Sequence, residues 1–372
     1  MQSSSLFLRR NRMRLQLAIC GVAFVGLAAE GSSADGQVAT YNYGMTEWVE
    51  SPDGSTIYAT VPSLNSIAVI NANTLQSTLV GIGSNPQGLA LSQDGSTLYV
   101  ADQGSNFIGV LNTKTDTTLS PIPLGPGVNP LDVQVGNNNR LWVLAGAQNQ
   151  FASIIQVSAT TGASTGPSPS ASLIYGGKIL ANSDGSALYY GDFGTSPSYQ
   201  NKFDVGATNP ITDWSDSLGF NGEDVALSRD GTLVVFPQGG NALNGIIQTS
   251  TNLTLGSVGP ATNVAFSPDN EFAYTSVFFN QGISIYSLST FLQVGTINTV
   301  GGPHTLFVDD TGQYIFSNEV GDTEVYATGR TVLQPTFTWN NAGGTGDGKT
   351  WDVGITNPAT IYLTSPSVAC LM

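Results

Sequence analysis

The residues of this 372-residue sequence that could do chemistry are mostly carboxylates, and they recur at a spacing of about forty positions. Converging carboxylates can hold Ca²⁺ or bind a cationic or hydroxyl-rich ligand. They can also act as general acids and bases where burial shifts their pKa values. The candidate set is Glu47, Gln87, Asp102, Asp132, Lys178, Asp192, Glu223, Asp224, His304 and Glu319. We expect no cofactor, with Ca²⁺ left open.

Other chemistries find little support in the sequence. His304 is the single histidine, so a metal site built on several histidines is excluded. The two cysteines, Cys20 and Cys370, provide no disulfide framework. We find no serine nucleophile elbow, phosphate loop or paired-cysteine metal motif. As a catalytic base, His304 would need to lie beside Glu47 or Asp132; otherwise it is a structural loop residue.

The net charge of the chain indicates which classes of partner it can bind. The chain has 26 acidic and 11 basic residues, a net charge of −15 and an isoelectric point near 4.1. Phosphate binding needs clusters of Lys and Arg, so nucleic acid is not an expected partner. Only 10 % of residues are charged, and 44 are glycine. This composition suits the many exposed turns of an extracellular β protein.

Residues 1–34 have the pattern of a secretory signal. Four arginines lie between Arg9 and Arg14, an apolar run extends from Leu15 to Ala29, and small residues follow. The apolar run is shorter than the roughly 20 residues that a transmembrane helix needs, although an uncleaved anchor stays an alternative. We therefore predict a secreted, cell-surface or periplasmic protein with no membrane span after the signal is removed.

The elements that must position the candidate residues are β-hairpins, because one turn motif recurs seven times. The best copy, Ser92-Gln93-Asp94-Gly95, separates two short apolar strands, and Asp-Gly suits the positive φ of tight turns. The third position of each copy falls at Asp53, Asp94, Asn138, Asp184, Asp230, Asp269 and Thr311, in steps of 39 to 46 residues. Asp94 is therefore expected to be architectural rather than functional.

Each repeat contains up to four short strands with period-two alternation. A period in the low forties with four strands indicates the blade of a β-propeller. We predict an all-β fold, a seven-bladed β-propeller of four-stranded antiparallel blades, over residues 37–329. Val38–Tyr43 should complete the last blade beside Thr323–Tyr326, because an open ring would leave edges prone to aggregation. The alternative for this segment is a linker after the signal.

The segment Asn85–Ala101 resembles the YVTN family of β-propeller repeats, a WD40-like architecture found in bacterial and archaeal surface and secreted proteins. The resemblance covers about residues 37–328 and implies the fold far more than an activity. The chain departs from the family in an insertion at residues 162–172 and in the last turn, Asp309–Gly312. Phe337–Asp352 resembles the opening of autotransporter-associated β-strand repeats, so residues 330–372 are expected to be a partial repeat or disordered.

In a propeller, the loops that enter the innermost strands and those that join second to third strands surround one mouth of the central channel. The repeat phase places the ten candidates there, which predicts an acidic mouth. The expected function is a binding or scaffold module for an unknown protein, glycan or small-molecule ligand. The alternative, implied by the resemblance, is a lactonase-like hydrolase that uses Glu223 and His304. The residues could equally be solvated loop groups around a water-filled channel.

Overall fold

The computed structural model describes residues 36–137, 140–146, 152–169, 177–192, 198–206, 211–218, 224–239, 243–277, 280–319 and 321–330. The predicted signal sequence, Glu223 and residues 331–372 lie outside the described residues. Nothing in the described part of the chain forms a helix with the length and hydropathy needed to cross a membrane.

The described residues form seven antiparallel sheets arranged in a ring, which confirms the predicted all-β, seven-bladed propeller. Blade 1 contains β2 (Trp48–Glu50), β3 (Thr56–Val61), β4 (Ser66–Asn71) and β5 (Ser77–Gly81). Blade 2 contains β6 (Pro86–Leu91), β7 (Thr97–Asp102), β8 (Phe107–Asn112), and β9 (Thr117–Thr118) with β10 (Ile122–Pro123) at the outer position. Blade 3 contains β11 (Pro130–Gly136), β12 (Arg140–Ala145) and β13 (Ser153–Ser158), with a bridge from Val157 to Ser164 at the outer position.

The remaining blades follow the same order from the channel outward. Blade 4 contains β14 (Gly177–Ala181), β15 (Ala187–Asp192), β16 (Ser198–Asp204) and β17 (Ile211–Leu218). Blade 5 contains β18 (Ala226–Leu227), β19 (Leu233–Val235), β20 (Asn244–Gln248) and β21 (Leu253–Val258). Blade 6 contains β22 (Asn263–Phe266), β23 (Phe272–Ser276), β24 (Ile283–Ser287) and β25 (Gln293–Ile297). Blade 7 contains β26 (Pro303–Val308), β27 (Tyr314–Glu319), β28 (Asp322–Ala327) and β1 (Gln37–Tyr41).

The ring closes in blade 7, where the first strand of the fold pairs with the last. β1 runs antiparallel to β28, with Tyr41 opposite Thr323 and Gln37 opposite Tyr326. The Thr323 hydroxyl also accepts a hydrogen bond of 2.9 Å from the backbone N–H of Met45. The predicted closure is thereby confirmed, and the backbone groups of β28 that would otherwise form an open edge are paired.

The recurring turn is held by its own aspartate. Gly95 has φ +69°, and Asp94 Oδ1 accepts hydrogen bonds from Ser92 Oγ at 2.6 Å and from the Ser96 backbone N–H at 3.1 Å. These bonds favour the ionised form, so they lower the pKa of Asp94 to about 2. Asp53, Asp230 and Asp269 make the same Ser–Asp contact in other blades. Asp94 is therefore architectural, as predicted.

The hydrophobic core lies between neighbouring blades rather than within one sheet. Trp142 from blade 3 packs in one cluster with Ile179, Leu188 and Tyr190 from blade 4. Trp142 is fully buried, and Tyr99 and Tyr189 are buried in two other clusters. Aromatic side chains of the second strands thus fix the packing of successive blades, which holds the innermost strands around the channel.

Candidate functional site

Four of the predicted residues meet at one end of the channel, and we call them the mouth cluster: Glu47, Asp132, Lys178 and Asp224. Lys178 Nζ lies 3.0 Å from Glu47 Oε2 and 3.4 Å from Asp224 Oδ1. Glu47 precedes the innermost strand of blade 1, whereas Lys178 lies in that of blade 4, so this ion pair crosses the ring. The side chains of Lys178, Glu47 and Asp224 are 17 %, 29 % and 14 % exposed, which leaves the cluster reachable from solvent.

Asp132 is the buried member of the mouth cluster and is held by backbone groups. Its Oδ1 accepts a hydrogen bond of 2.7 Å from the Val133 N–H, and its Oδ2 accepts one of 2.8 Å from the Ile179 N–H. The second bond connects blade 3 to blade 4. A Cβ at Gly88 in blade 2 would lie 1.9 Å from Asp132 Oδ1, so this close approach requires glycine. Asp132 therefore fixes three blades at the channel wall.

The electrostatics of the mouth cluster follow from three carboxylates sharing one ammonium group. Burial, with repulsion from Glu47, raises the pKa of Asp132 to about 8. Burial also raises the pKa of Glu47 and of Asp224, although Lys178 opposes both shifts. Burial alone would lower the pKa of Lys178, but the three carboxylates outweigh it and the net pKa is raised. Lys178 thus stays an ammonium ion, while the carboxylates retain protons at higher pH than usual.

A second set of charged residues lies at the other end of the channel, and we call Glu50, Arg229 and Asp310 the floor cluster. Arg229 from blade 5 makes an ion pair with Asp310 from blade 7 and lies 3.9 Å from Glu50 Oε2 of blade 1. The Asp310 backbone N–H donates a 2.7 Å hydrogen bond to Glu50 Oε2. Burial raises the pKa of Glu50 to about 8, although Arg229 opposes the shift.

Sequence reasoning missed the floor cluster, although a signal was present. Arg229 and Asp310 occupy the second position of the recurring turn, where the other copies have residues such as Pro52 and Gln93. Charges of opposite sign at equivalent turn positions of two blades were compatible with a contact at one end of the ring.

Between the two clusters lies a cavity of about 350 Å³, which we call the channel cavity. Its lining includes Lys178, Glu47 and Asp224 at the mouth and Glu50 and Arg229 at the floor. The middle is apolar and aromatic, with contributions from Trp48, Leu180, Leu227, Phe266 and Phe307. The rings of Trp48 and Phe307 stack with centroids 6.2 Å apart and planes 15° apart. Ligand sites of proteins commonly combine an apolar lining with a few polar groups in this way.

The three acidic candidates at the ends of second strands are buried. Glu319 accepts hydrogen bonds of 2.5 Å from the Gly301 N–H and 2.9 Å from the Tyr326 hydroxyl. Asp192 accepts one of 2.9 Å from the Tyr199 N–H. These bonds connect the carboxylates to backbone and side chains of their own blades, rather than to the mouth cluster.

Asp102 is the exception among these three. It is 0 % exposed, and neither carboxylate oxygen has a hydrogen-bond partner of normal geometry within the described residues. Burial raises its pKa to about 7, although the Gly109 N–H lowers it in part. Gly83 and Gly109 leave the space that the carboxylate occupies, because a Cβ at Gly83 would lie 2.0 Å from Asp102 Cγ.

The remaining candidates are Gln87, His304 and Glu223. The Gln87 side chain donates a 3.0 Å hydrogen bond to Asn85 Oδ1. His304 is half-buried at a bulge near the start of β26, and burial lowers its pKa. Glu223 lies outside the described residues. Within the described ranges, no three His, Cys, Asp or Glu side chains are grouped as a metal ion would require, and Ca²⁺ binding stays a prediction.

Seven antiparallel blades in a closed ring around a charged channel define a seven-bladed β-propeller. A chain of Kuenenia stuttgartiensis hydrazine synthase matches with a TM-score of 0.62 at 17 % identity, over 82 % of this chain and 99 % of that chain. The β-propeller domain of Cps50 (Swd1) from Myceliophteria thermophila matches with a TM-score of 0.62 at 12 % identity, over 78 % and 99 %. At such identities the likeness shows the fold alone. No protein-family profile and no curated protein matches the sequence.

Proposed function

We propose that this chain is a non-catalytic binding module whose mouth cluster receives a positively charged group of a ligand or protein partner. The observation that carries the proposal is the convergence of Glu47, Asp132 and Asp224 around the single ammonium group of Lys178. Although Asp132 is largely protonated at neutral pH, Glu47 and Asp224 still outnumber the one ammonium group, and the Glu47 side chain remains 29 % exposed. An incoming cation therefore meets partly reachable, incompletely neutralised carboxylates. The leader and the YVTN-like repeats support a further proposal, that the module acts outside the cytoplasm.

The contacts of the mouth cluster favour binding over hydrolysis. Lys178 is ion-paired and its pKa is raised, so it is a poor nucleophile and a poor base. Both oxygens of Asp132 accept backbone hydrogen bonds, which leaves it less able to activate water. The lactonase-like alternative needs Glu223 and His304, and Glu223 lies outside the described residues.

A basic peptide provides the test. We expect a fluorescent Lys-Arg hexapeptide to bind the protein with an affinity that falls as salt is raised. Glu47→Gln should weaken binding about 3- to 10-fold, because it removes one charge-assisted contact. Asp322→Asn is the matched control, since Asp322 is an exposed carboxylate in the β27–β28 hairpin on the same face.

Two results would overturn the proposal. One is equal weakening by Glu47→Gln and Asp322→Asn, which would reduce the binding to general attraction by an acidic protein. The other is turnover of a lactone panel that disappears in His304→Ala while the variant stays folded. That second result would make the chain a hydrolase.

A further inference from the structure

The channel cavity has apolar side chains between its two charged ends. Five of them line the cavity from four blades and are only half-buried: Trp48, Leu180, Leu227, Leu306 and Phe307. Covering apolar surface that remains accessible is favourable, and the gain grows with the area that is covered. The interior of the channel therefore favours an occupant with an apolar body.

The apolar section of the channel cavity is short. In β14, Leu180 follows Lys178 of the mouth cluster by two residues, about 7 Å along the strand. In blade 1, three positions separate Glu47 at the mouth from Glu50 at the floor, about 10 Å of extended chain. The volume of about 350 Å³ lies near the lower end of the range for small-molecule sites. An occupant held at the mouth can therefore extend only a short apolar body into the channel.

The mouth cluster already binds one ammonium group on an alkyl chain, that of Lys178. This group lies 3.0 Å from Glu47 Oε2 and 3.4 Å from Asp224 Oδ1. Because Asp132 is largely protonated at neutral pH, the other two carboxylates exceed the ammonium group by one negative charge. A ligand with one positive charge would balance the mouth, whereas an anion would be repelled.

The floor cluster has no such excess of negative charge. Burial keeps Glu50 largely protonated at neutral pH, and Arg229 makes an ion pair with Asp310. A positive charge of a ligand at this end would lose hydration and would meet no net negative charge in the floor cluster. The two ends therefore favour a ligand with one charge at the mouth and an uncharged end toward the floor.

We propose that the channel cavity binds a monoamine with a short, uncharged apolar body, an inference that rests on the proposed function and names its ligand class. The ammonium group contacts Glu47 and Asp224 beside Lys178. The apolar body extends toward the floor and covers Leu180 and Leu227. An alcohol with the same body would leave the charge at the mouth unbalanced, and a diamine would place a second charge near the floor.

Four ligands test the charge and the apolar body separately. Hexylamine is the probe, ethylamine has a shorter body, 1-hexanol has no charge, and 1,6-diaminohexane has a second ammonium group. Calorimetric titration of the full chain at neutral pH should show saturable binding of hexylamine, at least about 10-fold tighter than that of ethylamine or 1-hexanol. The diamine should bind at least about 3-fold more weakly than hexylamine. General attraction by an acidic chain would instead favour the diamine.

Substitution of Leu227 by asparagine tests the position of the apolar body. Leu227→Asn should weaken hexylamine binding about 3- to 10-fold and change ethylamine binding by less than about 2-fold, because only the longer body reaches this level. Leu253→Asn is the matched control, since Leu253 is 63 % exposed in β21, the outermost strand of the same blade. It should bind all four ligands as the unaltered chain does.

The ligand series on the unaltered chain decides the proposal even if Leu227→Asn does not fold. Hexylamine that binds no more tightly than ethylamine, or more weakly than 1,6-diaminohexane, would overturn it. Equal effects of Leu227→Asn and Leu253→Asn would also overturn it. If the Lys-Arg hexapeptide binds and depends on Glu47 while hexylamine does not bind, only this inference fails. If neither the peptide nor any amine binds, the proposed function fails with it.

Discussion

Replacing Lys178 by methionine tests the electrostatic account of the mouth cluster. At 3.0 Å, the attraction between Lys178 and Glu47 is about 5 kcal/mol for an effective dielectric constant of about 20, before desolvation is subtracted. Partial exposure of both side chains and the cost of burying the charges reduce this value. We therefore expect Lys178→Met to lower the free energy of unfolding by about 2–4 kcal/mol at neutral pH.

The loss should depend on pH in a defined direction. Without the ammonium group, Glu47, Asp132 and Asp224 can relieve their repulsion by binding protons, and this costs less free energy at lower pH. The destabilisation should therefore be smaller at pH 5 than at pH 7.5. Urea denaturation followed by circular dichroism at both pH values measures it.

Lys114→Met is the control, because Lys114 is exposed and its loss changes the net charge of the chain equally. We expect it to change stability by less than about 0.5 kcal/mol. Combining Lys178→Met with Glu47→Gln should recover part of the loss, with a coupling energy of about 1–3 kcal/mol. The reasoning fails if Lys178→Met and Lys114→Met are indistinguishable, or if the two substitutions at the mouth are additive.

Three further predictions concern other parts of the ring. Gly83→Ala should destabilise the fold by about 2–4 kcal/mol in urea denaturation, because Gly83 has φ +40° and a Cβ there would overlap Asp102. Gly81→Ala is the control and should be neutral, because a Cβ at Gly81 meets no atom within 4 Å. Equal effects of the two substitutions would contradict this. The pKa of Glu50 is raised to about 8 from an unfolded value of about 4.3, so its contribution is full below about pH 4 and is lost as the pH rises toward 8. Arg229, Asp309 and Asp53 face this carboxyl, and Glu50→Gln should flatten the fall of stability between these pH values by on the order of 5 kcal/mol. An unchanged pH profile would refute the assignment. Deleting Gln37–Tyr41 should expose the edge of β28 and produce oligomers, which size-exclusion chromatography would detect. Adding a peptide of residues 36–45 should restore the monomer. A deletion variant that stays monomeric without the peptide would show that closure is dispensable.

The fold could be predicted because the turn motif that specifies each hairpin is local in the sequence and is repeated along the chain. The turn around Asp94 and Gly95 carries its own hydrogen bonds, so each copy reports a hairpin whatever surrounds it. Counting the copies predicts the number of blades. The missing outer strand of the last blade then predicts that β1 closes the ring.

The contacts of the candidate site were harder to predict from the sequence than the fold, because they cross the ring. Repeat phase brought Glu47, Lys178 and Asp224 to the same level of the channel, but it could not distinguish them from Asp192 or Glu319, which bond to their own blades. That distinction depends on the direction of each side chain. The contact of Arg229 with Glu50 depends on the channel width, which no single repeat encodes.

The pairing of β1 with β28 also decides how the ring responds to mechanical load. The backbone N–H of Ala327 donates a 2.8 Å hydrogen bond to the carbonyl of Gly36, so the two ends of the described chain leave the fold side by side. The two strands are antiparallel and both ends leave from the same end of the pair. Tension applied through both ends would therefore break the hydrogen bonds one after another, rather than shear all of them at once. The seam that completes the propeller is therefore also where pulling on both ends would first open it.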